Sequence, residues 1–372
     1  MGTDGIARQA LAFLLLGVFF LVPTGVGRGQ DSPLVLPSAE RLLREAYART
    51  KAAPREADLT EIIRMCRQAR RTEPVAEVAA YADQLTAWAL NRRGEQYAQQ
   101  AADLAAQDQL DKADELDAQA LADFEAAVEL DPQNWKALHN RGVSRALAGQ
   151  LDEALADFSG VVERKPDYPN AWFNRGEVRA DRGEWAQAVA DYTRAIELKP
   201  ADLDAYVRRS QAYLQLGKLR EALADCDRSV QLAPGQIQPL LDRGDVHRRL
   251  GQWQLAAEDY RRAMALDHRS SQAYQRAAWI LATCPVDRYR NGDLAVQAAE
   301  KALELDGEQG VEYLDTVAAA YANAGQFDKA CETLTQAIEA APDEAETYRS
   351  RLALYQRQQP FREPQPRRIA EP

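Results

Sequence analysis

Histidine, cysteine and methionine are scarce in this sequence of 372 residues, which has three His, four Cys and three Met. The histidines, His139, His247 and His268, lie apart along the chain, and none has a cysteine or carboxylate partner at metal-ligand spacing. The sequence also lacks a glycine-rich phosphate loop, a nucleophile elbow and a metal-binding helix motif. We therefore predict no catalytic residues, no metal site and no cofactor, and we predict that the protein is not an enzyme.

Basic residues are outnumbered, because 46 Lys and Arg stand against 57 Asp and Glu, and the formal net charge is −11. Binding to nucleic acid depends on a stripe of Lys and Arg that releases counterions from phosphates. The sequence has no such stripe, so a nucleic-acid partner is excluded. The acidic balance would suit a basic or neutral partner, although a charged surface serves solubility first.

Long apolar runs are also missing, apart from Ala10–Val22, which is too short to cross a bilayer comfortably. Arg8 precedes this run, and Pro23 and the small-residue stretch 25–29 follow it, in the order of a secretory signal peptide. Residues 1–29 are therefore predicted to be a signal peptide cleaved within that stretch. The mature protein would then have no transmembrane segment and would be periplasmic or extracellular. An uncleaved N-terminal membrane anchor is the alternative.

Against these absences stands a strong internal repetition. From Trp135 to His268 one pattern is written four times with a period of 34 residues. Proline, alanine and glycine each recur with this step: Pro132, Pro166, Pro200 and Pro234; Ala154, Ala188, Ala222 and Ala256; Gly149, Gly183, Gly217 and Gly251. A period of 34 with small, aromatic and proline positions in this order is typical of a helix-turn-helix repeat.

On these residues the chain resembles the tetratricopeptide repeat (TPR) family. The resemblance implies an all-α fold, a right-handed superhelical solenoid of helix-turn-helix repeats. A more local resemblance lies in the last hundred residues, where 279–285, 289–292 and 314–321 are similar to the C-terminal module of exported bacterial TPR proteins. This second resemblance implies lineage and location more than an activity.

The repeat pattern also predicts the domain organisation. We expect an N-terminal helical cap with a degenerate repeat at 30–86, followed by about seven repeats at 87–344. A capping helix at 345–357 and a Pro- and Arg-rich disordered tail at 358–372 should follow.

Two repeats depart from the common length. The first carries an insert, 102–117, that contains no Gly or Pro and should extend both of its helices into a protruding hairpin. In the sixth, 271–310, a longer segment replaces the usual turn with its single glycine.

The repeated positions are numbered here from Trp135 as position one. Position seven is arginine and position twenty-three is aspartate in five copies: Arg93 with Asp123, Arg141 with Asp157, Arg175 with Asp191, Arg209 with Asp225, and Arg243 with Asp259. The last two copies change both positions together, to Ala277 with Ala298 and Val317 with Thr333. Joint presence and joint loss indicate contact between two helices, within a repeat or with the next one. We interpret the pairs as a structural ladder, not a ligand site.

The position of a cysteine in the repeat also indicates its role. Cys226 occupies a position that Phe158, Tyr192 and Tyr260 fill in other copies, which makes it a core residue. No pair of cysteines has redox or metal-ligand spacing, and we predict buried free thiols, not disulfides.

The family resemblance implies that the functional surface is a concave groove lined by the first helix of each repeat. Positions two, five, nine, twelve and thirteen would line it, which gives Lys136, His139, Val143, Asn170, Phe173, Glu177, Asp204, Val207, Gln211, Leu241 and Asp245. Such a mixed groove would suit an extended or helical peptide with an apolar stripe and some basic residues. The chaperone-tail version of the family holds a terminal carboxylate with Lys and Asn at positions five and nine, and that clamp is absent here.

These patterns predict a non-catalytic scaffold that mediates protein–protein interaction outside the cytoplasm and binds a peptide or partner segment in the groove. The alternative is a structural or assembly component of the cell envelope that makes its contacts through the inserted hairpin and the tail. A hydrolase or carbohydrate-active enzyme is a third class, which the sequence supports least. The sequence names neither the partner nor the oligomeric state.

Overall fold

A computed structural model describes residues 38–72, 75–307 and 310–365. These residues form seventeen α-helices and two short 3-10 turns, with no β-strand among them, and the predicted all-α class is confirmed. The predicted signal peptide, residues 1–29, lies outside the described residues, as do residues 366–372. In the part of the chain that is described, no helix is both long and apolar enough to span a membrane.

The chain divides into two compact units, Met1–Pro200 and Ala201–Pro372. In the first unit, consecutive helices pack in pairs, as a helix-turn-helix repeat requires. Its helices are α1 (Ser38–Arg49), α2 (Glu56–Thr72), α3 (Ala76–Ala105), α4 (Leu110–Leu130), α5 (Trp135–Leu147), α6 (Leu151–Arg164), α7 (Pro169–Asp181) and α8 (Trp185–Leu198).

The second unit continues the same pairing and ends in a single additional helix. Its helices are α9 (Leu203–Gln215), α10 (Leu219–Leu232), α11 (Gln238–Arg249), α12 (Trp253–Leu266), α13 (Ser271–Thr283), α14 (Gly292–Asp306), α15 (Val311–Asn323), α16 (Phe327–Ala340) and α17 (Ala345–Tyr355). The 3-10 turns are Asp287–Tyr289 and Pro342–Glu344.

Local chemistry fixes where the helices begin and where the repeat turns. The side chains of Asn134, Asp202 and Ser270 each accept a hydrogen bond from the backbone N–H three residues further on, which caps α5, α9 and α13. The turn glycines at position fifteen, such as Gly149 and Gly251, have φ of 74° and 72°. A side chain at such a φ is strained, which explains the glycine register.

Position eight is small because an aromatic ring from position twenty-four lies against it. A Cβ on Gly244 would lie 2.4 Å from the Tyr260 ring, and a Cβ on Gly94 would lie 2.7 Å from the Phe124 ring. In the fourth copy the same pair is Ser210 with the smaller Cys226. The size of one residue therefore sets the space left for the other, and the two helices of a repeat approach closely.

The insert in the first repeat lengthens both of its helices, as the sequence predicts. α3 has 30 residues and α4 has 21, against 13 and 14 in the next repeat. Ala101 and Ala113 are buried within the extension. The tip turns through Asp108, whose φ of 61° is left-handed, and Leu110 beside it is 51% exposed.

The C-terminal segment differs from the sequence-based expectation. Disorder is predicted from Gln358 onwards, but residues 358–365 lie against helices of the second unit. The Glu363 backbone N–H donates to the carbonyl of Thr283 over 2.9 Å, and the Arg362 guanidinium donates to the carbonyl of Ala282 over 2.9 Å. Composition alone predicts disorder here because it takes no account of specific partners elsewhere in the chain.

All four cysteines are free, as predicted, and all lie in the described part of the chain. Cys66, Cys226 and Cys284 are buried, whereas Cys331 is partly exposed. Burial raises the pKa of Cys66 to about 11 and that of Cys226 to about 12, so both thiols stay protonated and act as small apolar core residues.

Candidate functional site

The repeated arginine and aspartate side chains meet within each repeat. In all five copies the aspartate accepts hydrogen bonds from Nε and Nη2 of the arginine at position seven, over 2.6–2.9 Å. The pairs join the first helix of a repeat to its own second helix, not to the next repeat. The hydrogen bonds that Arg93 and Arg243 donate to Asp123 and Asp259, respectively, raise the pKa of each guanidinium.

A second arginine, which the sequence reasoning missed, completes two of these pairs. Arg145 donates from Nη1 to Asp157 over 2.9 Å, and Arg179 donates from Nη1 to Asp191 over 2.6 Å. Both stand at position eleven, one helical turn after position seven. The signal was available in the sequence, because i and i+4 side chains share a helix face. The Asp157 and Asp191 carboxylates are buried and face the two arginines, so this ladder stabilises the repeats and offers nothing to a ligand.

In the first unit, the predicted groove residues are mostly half-buried. Phe173 packs its ring on Tyr192 with 5.7 Å between centroids, and Glu177 accepts the hydrogen bond of the Tyr192 hydroxyl. Lys136 places its ammonium 5.6 Å from the centroid of the Trp135 ring. Val143 and Asn170 are also half-buried and remain on the first-helix face.

His139 is a correction, because it is buried and does not line an open groove. Its ring lies between Phe158 and Tyr168, with centroid separations of 5.7 and 5.2 Å. The Asn174 amide donates to Nε2 over 3.1 Å, while Nδ1 faces the Asn140 amide oxygen at 3.4 Å. These partners suit the neutral ring, and burial lowers the pKa of His139 to about 4.

We expect this histidine to make the stability of the fold sensitive to acid. An unfolded histidine has a pKa of about 6.5, so between that pH and about 4 the unfolded chain binds a proton that the folded chain does not. The contribution of the neutral His139 ring to the free energy of unfolding is complete above pH 6.5 and is lost as the pH falls towards 4. At pH 5 the loss should reach about 2 kcal/mol, and His139→Leu should remove it.

Chemical denaturation of the full chain at pH 7 and pH 5 tests this expectation. Its matched control is His268→Leu, because His268 is exposed, and this variant should keep the acid sensitivity of the unchanged protein. An equal acid sensitivity in the His139 and His268 variants would contradict the assignment.

In the second unit, the predicted groove residues separate into three environments. Asp204 and Gln211 are exposed, and Val207 is half-buried. Leu241 is a correction, because it is fully buried in the core with Tyr260 and Leu240. Position five therefore points into the packed interior in two of the four copies where the sequence predicts it as a groove residue.

Asp245 is the predicted groove residue that lines a pocket in the second unit. This pocket, the α11–α15 pocket, has a volume of about 420 Å³ and lies on the first helices α11, α13 and α15 and on α17. Its lining is Asp245, Arg248, Gln272, Gln275, Arg276, Trp279, Glu312, Tyr313, Asp315, Tyr348 and Arg351.

Charges of both signs alternate around the pocket. Asp245 accepts hydrogen bonds from the Tyr260 hydroxyl over 2.7 Å and from Arg276 Nε over 2.9 Å. Arg351 forms an ion pair with Asp315, and its guanidinium lies 5.1 Å from the centroid of the Trp279 ring. Burial and the charge of Asp245 raise the pKa of Tyr260 well above its usual range, so its hydroxyl remains a donor.

Most of the pocket residues escaped the sequence prediction, although the same rule could have found them. Gln272 and Glu312 occupy position two, Gln275 and Asp315 position five, and Trp279 position nine. The predicted groove residues end at Asp245, whereas the pocket extends into the two repeats that follow.

Comparisons with known proteins agree on the repeat. Family models described as tetratricopeptide repeat match residues 118–169, 148–202, 173–237 and 311–344. No curated protein matches the sequence.

Three solved structures are among those that are similar to this chain. MamA residues 41 to the end from Desulfovibrio magneticus is 19% identical, with a TM-score of 0.41, over 47% of this chain and 95% of that one. YrrB, a TPR protein with an unusual peptide-binding site, is 22% identical, with a TM-score of 0.41, over 54% and 97%. Yeast Tom70 is 14% identical, with a TM-score of 0.45, over 95% and 69%.

Proposed function

The chain is a tetratricopeptide repeat protein, and from that premise we propose that it is a non-catalytic scaffold for protein–protein interaction outside the cytoplasm. It holds a segment of a partner protein on the first-helix face of its second unit. The observation that carries this proposal is the α11–α15 pocket, whose lining comes from three successive first helices and α17. A surface built from several repeats can contact several successive residues of a partner segment.

The chemistry of the pocket favours binding over catalysis. Asp245 is held by Arg276 and Tyr260, and Asp315 is held by Arg351. Both carboxylates are therefore engaged by donors within the chain instead of being aimed at a substrate proton, as a general base must be. The same pairs present charges of both signs at fixed positions, which orients a charged peptide by complementarity.

The location rests on the sequence order at residues 8–29, a basic residue, an apolar run and small residues. Mass spectrometry of the mature N-terminus, on protein recovered from cells that express the full chain, should find cleavage within residues 25–29. A mature protein that retains Met1 would contradict export with cleavage and favour the membrane anchor.

The hairpin formed by the extended ends of α3 and α4 supports the alternative function in envelope assembly. Leu110 at its tip is 51% exposed, and a large apolar side chain at such a tip is available to a partner. The C-terminal tail contributes less to this alternative than the sequence suggests, because residues 358–365 already contact helices of the second unit.

Site-specific photo-crosslinking separates these two functions. A photoreactive residue would replace Gln272 in the pocket, Gln107 at the hairpin tip, or Glu258 on the second helix α12, all three exposed in the folded chain. We expect a crosslinked partner from Gln272 and none from Glu258, which is the matched control. Capture from Gln107 alone would favour the assembly role, and equal capture from all three positions would overturn both functions.

A further inference from the structure

The C-terminal segment reaches the first-helix face beside the α11–α15 pocket, and Phe361 is its aromatic anchor. The Phe361 and Trp279 rings lie 6.1 Å apart between centroids. The Arg351 guanidinium lies 4.9 Å from the Phe361 centroid and 5.1 Å from the Trp279 centroid. Two aromatic rings therefore share one cation, an arrangement that attracts through the ring quadrupoles.

Arg362 binds at the carboxyl end of α13. Its guanidinium donates to the backbone carbonyl of Ala282 over 2.9 Å and to Oδ1 of Asn323 over 2.9 Å. The last carbonyls of a helix lack partners within the helix and carry partial negative charge, so a cation is favoured there. The helix ends there because the irregular turn of the sixth repeat begins at Cys284 and Pro285.

Glu363 completes the contact with an anion. Its carboxylate accepts a hydrogen bond from Nε1 of Trp279 over 2.7 Å and one from the Arg248 guanidinium. Its backbone N–H donates to the carbonyl of Thr283 over 2.9 Å. The Glu363 side chain is only 13% exposed, so these are sheltered contacts and not a rim ion pair.

Each of these three consecutive residues, which differ in chemistry, thus contacts groups that complement it. Such a set of contacts allows a binding site to recognise a specific sequence. Apart from Arg351 on α17, their partners stand at positions nine, twelve and thirteen of the repeats, which the family resemblance assigns to the groove. Proline at 360 and 364 flanks the triplet and limits the backbone entropy lost on docking. The open part of the pocket lies next to this contact and shares Arg248, Trp279 and Arg351 with it.

We infer that this surface is a recognition site for an extended segment with an aromatic residue followed by arginine and glutamate. The chain's own Phe361, Arg362 and Glu363 are its resident ligand, and a partner segment of the same chemistry displaces them. The inference deepens the proposed function and rests on it, since it names the partner chemistry of that scaffold. Only five residues, 356–360, lie between Tyr355, the end of α17, and Phe361, so the tail acts at an effective concentration in the range of about millimolar. The tail of the chain therefore limits the access of a partner segment to this surface.

Fluorescence anisotropy with a labelled peptide of residues 358–365, Gln-Gln-Pro-Phe-Arg-Glu-Pro-Gln, tests the inference. The proteins are the unchanged full chain and the full chain with Phe361→Ala and Glu363→Ala, which weaken the resident contact. We expect the double variant to bind the peptide about tenfold or more tightly than the unchanged chain does. A peptide with the same two alanine changes should not bind.

Two further variants locate the binding to this surface. In the background of the double variant, Trp279→Ala should abolish peptide binding, and Arg248→Gln should weaken it by removing only the partner of the glutamate. Arg248→Gln keeps the test decisive if Trp279→Ala proves unfolded by circular dichroism. Equal peptide binding by the unchanged chain and the double variant, or none by the double variant, would overturn the inference. Crosslinking from Gln272 would stand in either case, so the proposed function and this inference fail separately.

Discussion

Replacing Asp191 by alanine is expected to lower the free energy of unfolding by about 3–5 kcal/mol, because the change leaves two sheltered guanidinium groups without their anion. Asp191 is 1% exposed and accepts hydrogen bonds from Arg175 and Arg179 over 2.6–2.9 Å. The same change at Asp167, whose partner Lys165 is on the surface, should cost about 0–1 kcal/mol and is the matched control. Urea unfolding followed by circular dichroism measures both.

A variant that removes Asp191 together with its arginine partners tests whether these side chains stabilise the fold through their mutual contact or independently of one another. The sixth repeat shows an apolar solution for the same three positions, with Ala277, Leu281 and Ala298. Copying it as Arg175→Ala, Arg179→Leu and Asp191→Ala removes all the charges together. We expect stability to return to within about 1 kcal/mol of the unchanged protein, since the cost of the single change is an unpaired charge. If the losses in the free energy of unfolding of the separate substitutions simply add in the triple variant, the inference of a contact between these side chains is wrong.

Replacing Gly244 by alanine is expected to destabilise the chain by about 2–3 kcal/mol, although alanine is the better helix former by about 1 kcal/mol. The new Cβ would lie 2.4 Å from the Tyr260 ring. This ring is fully buried and donates its hydroxyl to Asp245, so it has no free volume into which to move. The two helices would have to separate.

The fourth repeat supplies the control, because it combines Ser210 with Cys226 at the same two positions. In a Tyr260→Cys background, Gly244→Ala should be neutral or stabilising, since the clash is gone and the propensity gain of about 1 kcal/mol remains. A double-mutant cycle on thermal or urea unfolding gives the coupling between the positions. An unchanged penalty in the cysteine background would show that the ring is not its cause.

The sequence by itself determined the helical repeat, because its signals are local or periodic. A proline, a turn glycine and a capping side chain act on the backbone within a few residues, so the helix ends could be placed without coordinates. The Arg–Asp pairs were also readable, since they vary together between copies. Because these features recur in several repeats of one chain, the repeats can be compared with one another.

The tertiary structure decided which residues of the first helices are accessible. His139 and Leu241 share position five with Phe173, yet they are buried, because exposure at that position depends on the bulk of the neighbouring helices. The α11–α15 pocket likewise forms only where successive repeats meet. Packing of this kind is a property of several side chains at once, and no position carries it alone.

The C-terminal segment shows most clearly the difference between what the sequence predicts and what the tertiary structure determines. Composition predicts a disordered tail, whereas the structure anchors Phe361 and Glu363 on Trp279, a residue more than eighty positions earlier in the chain. Proline and arginine content describes the average solvation of a segment, and it says nothing about one complementary site elsewhere. The physical reason is that docking depends on specific long-range contacts, which offset the entropy of ordering the segment only when the folded repeats have already brought the partners together.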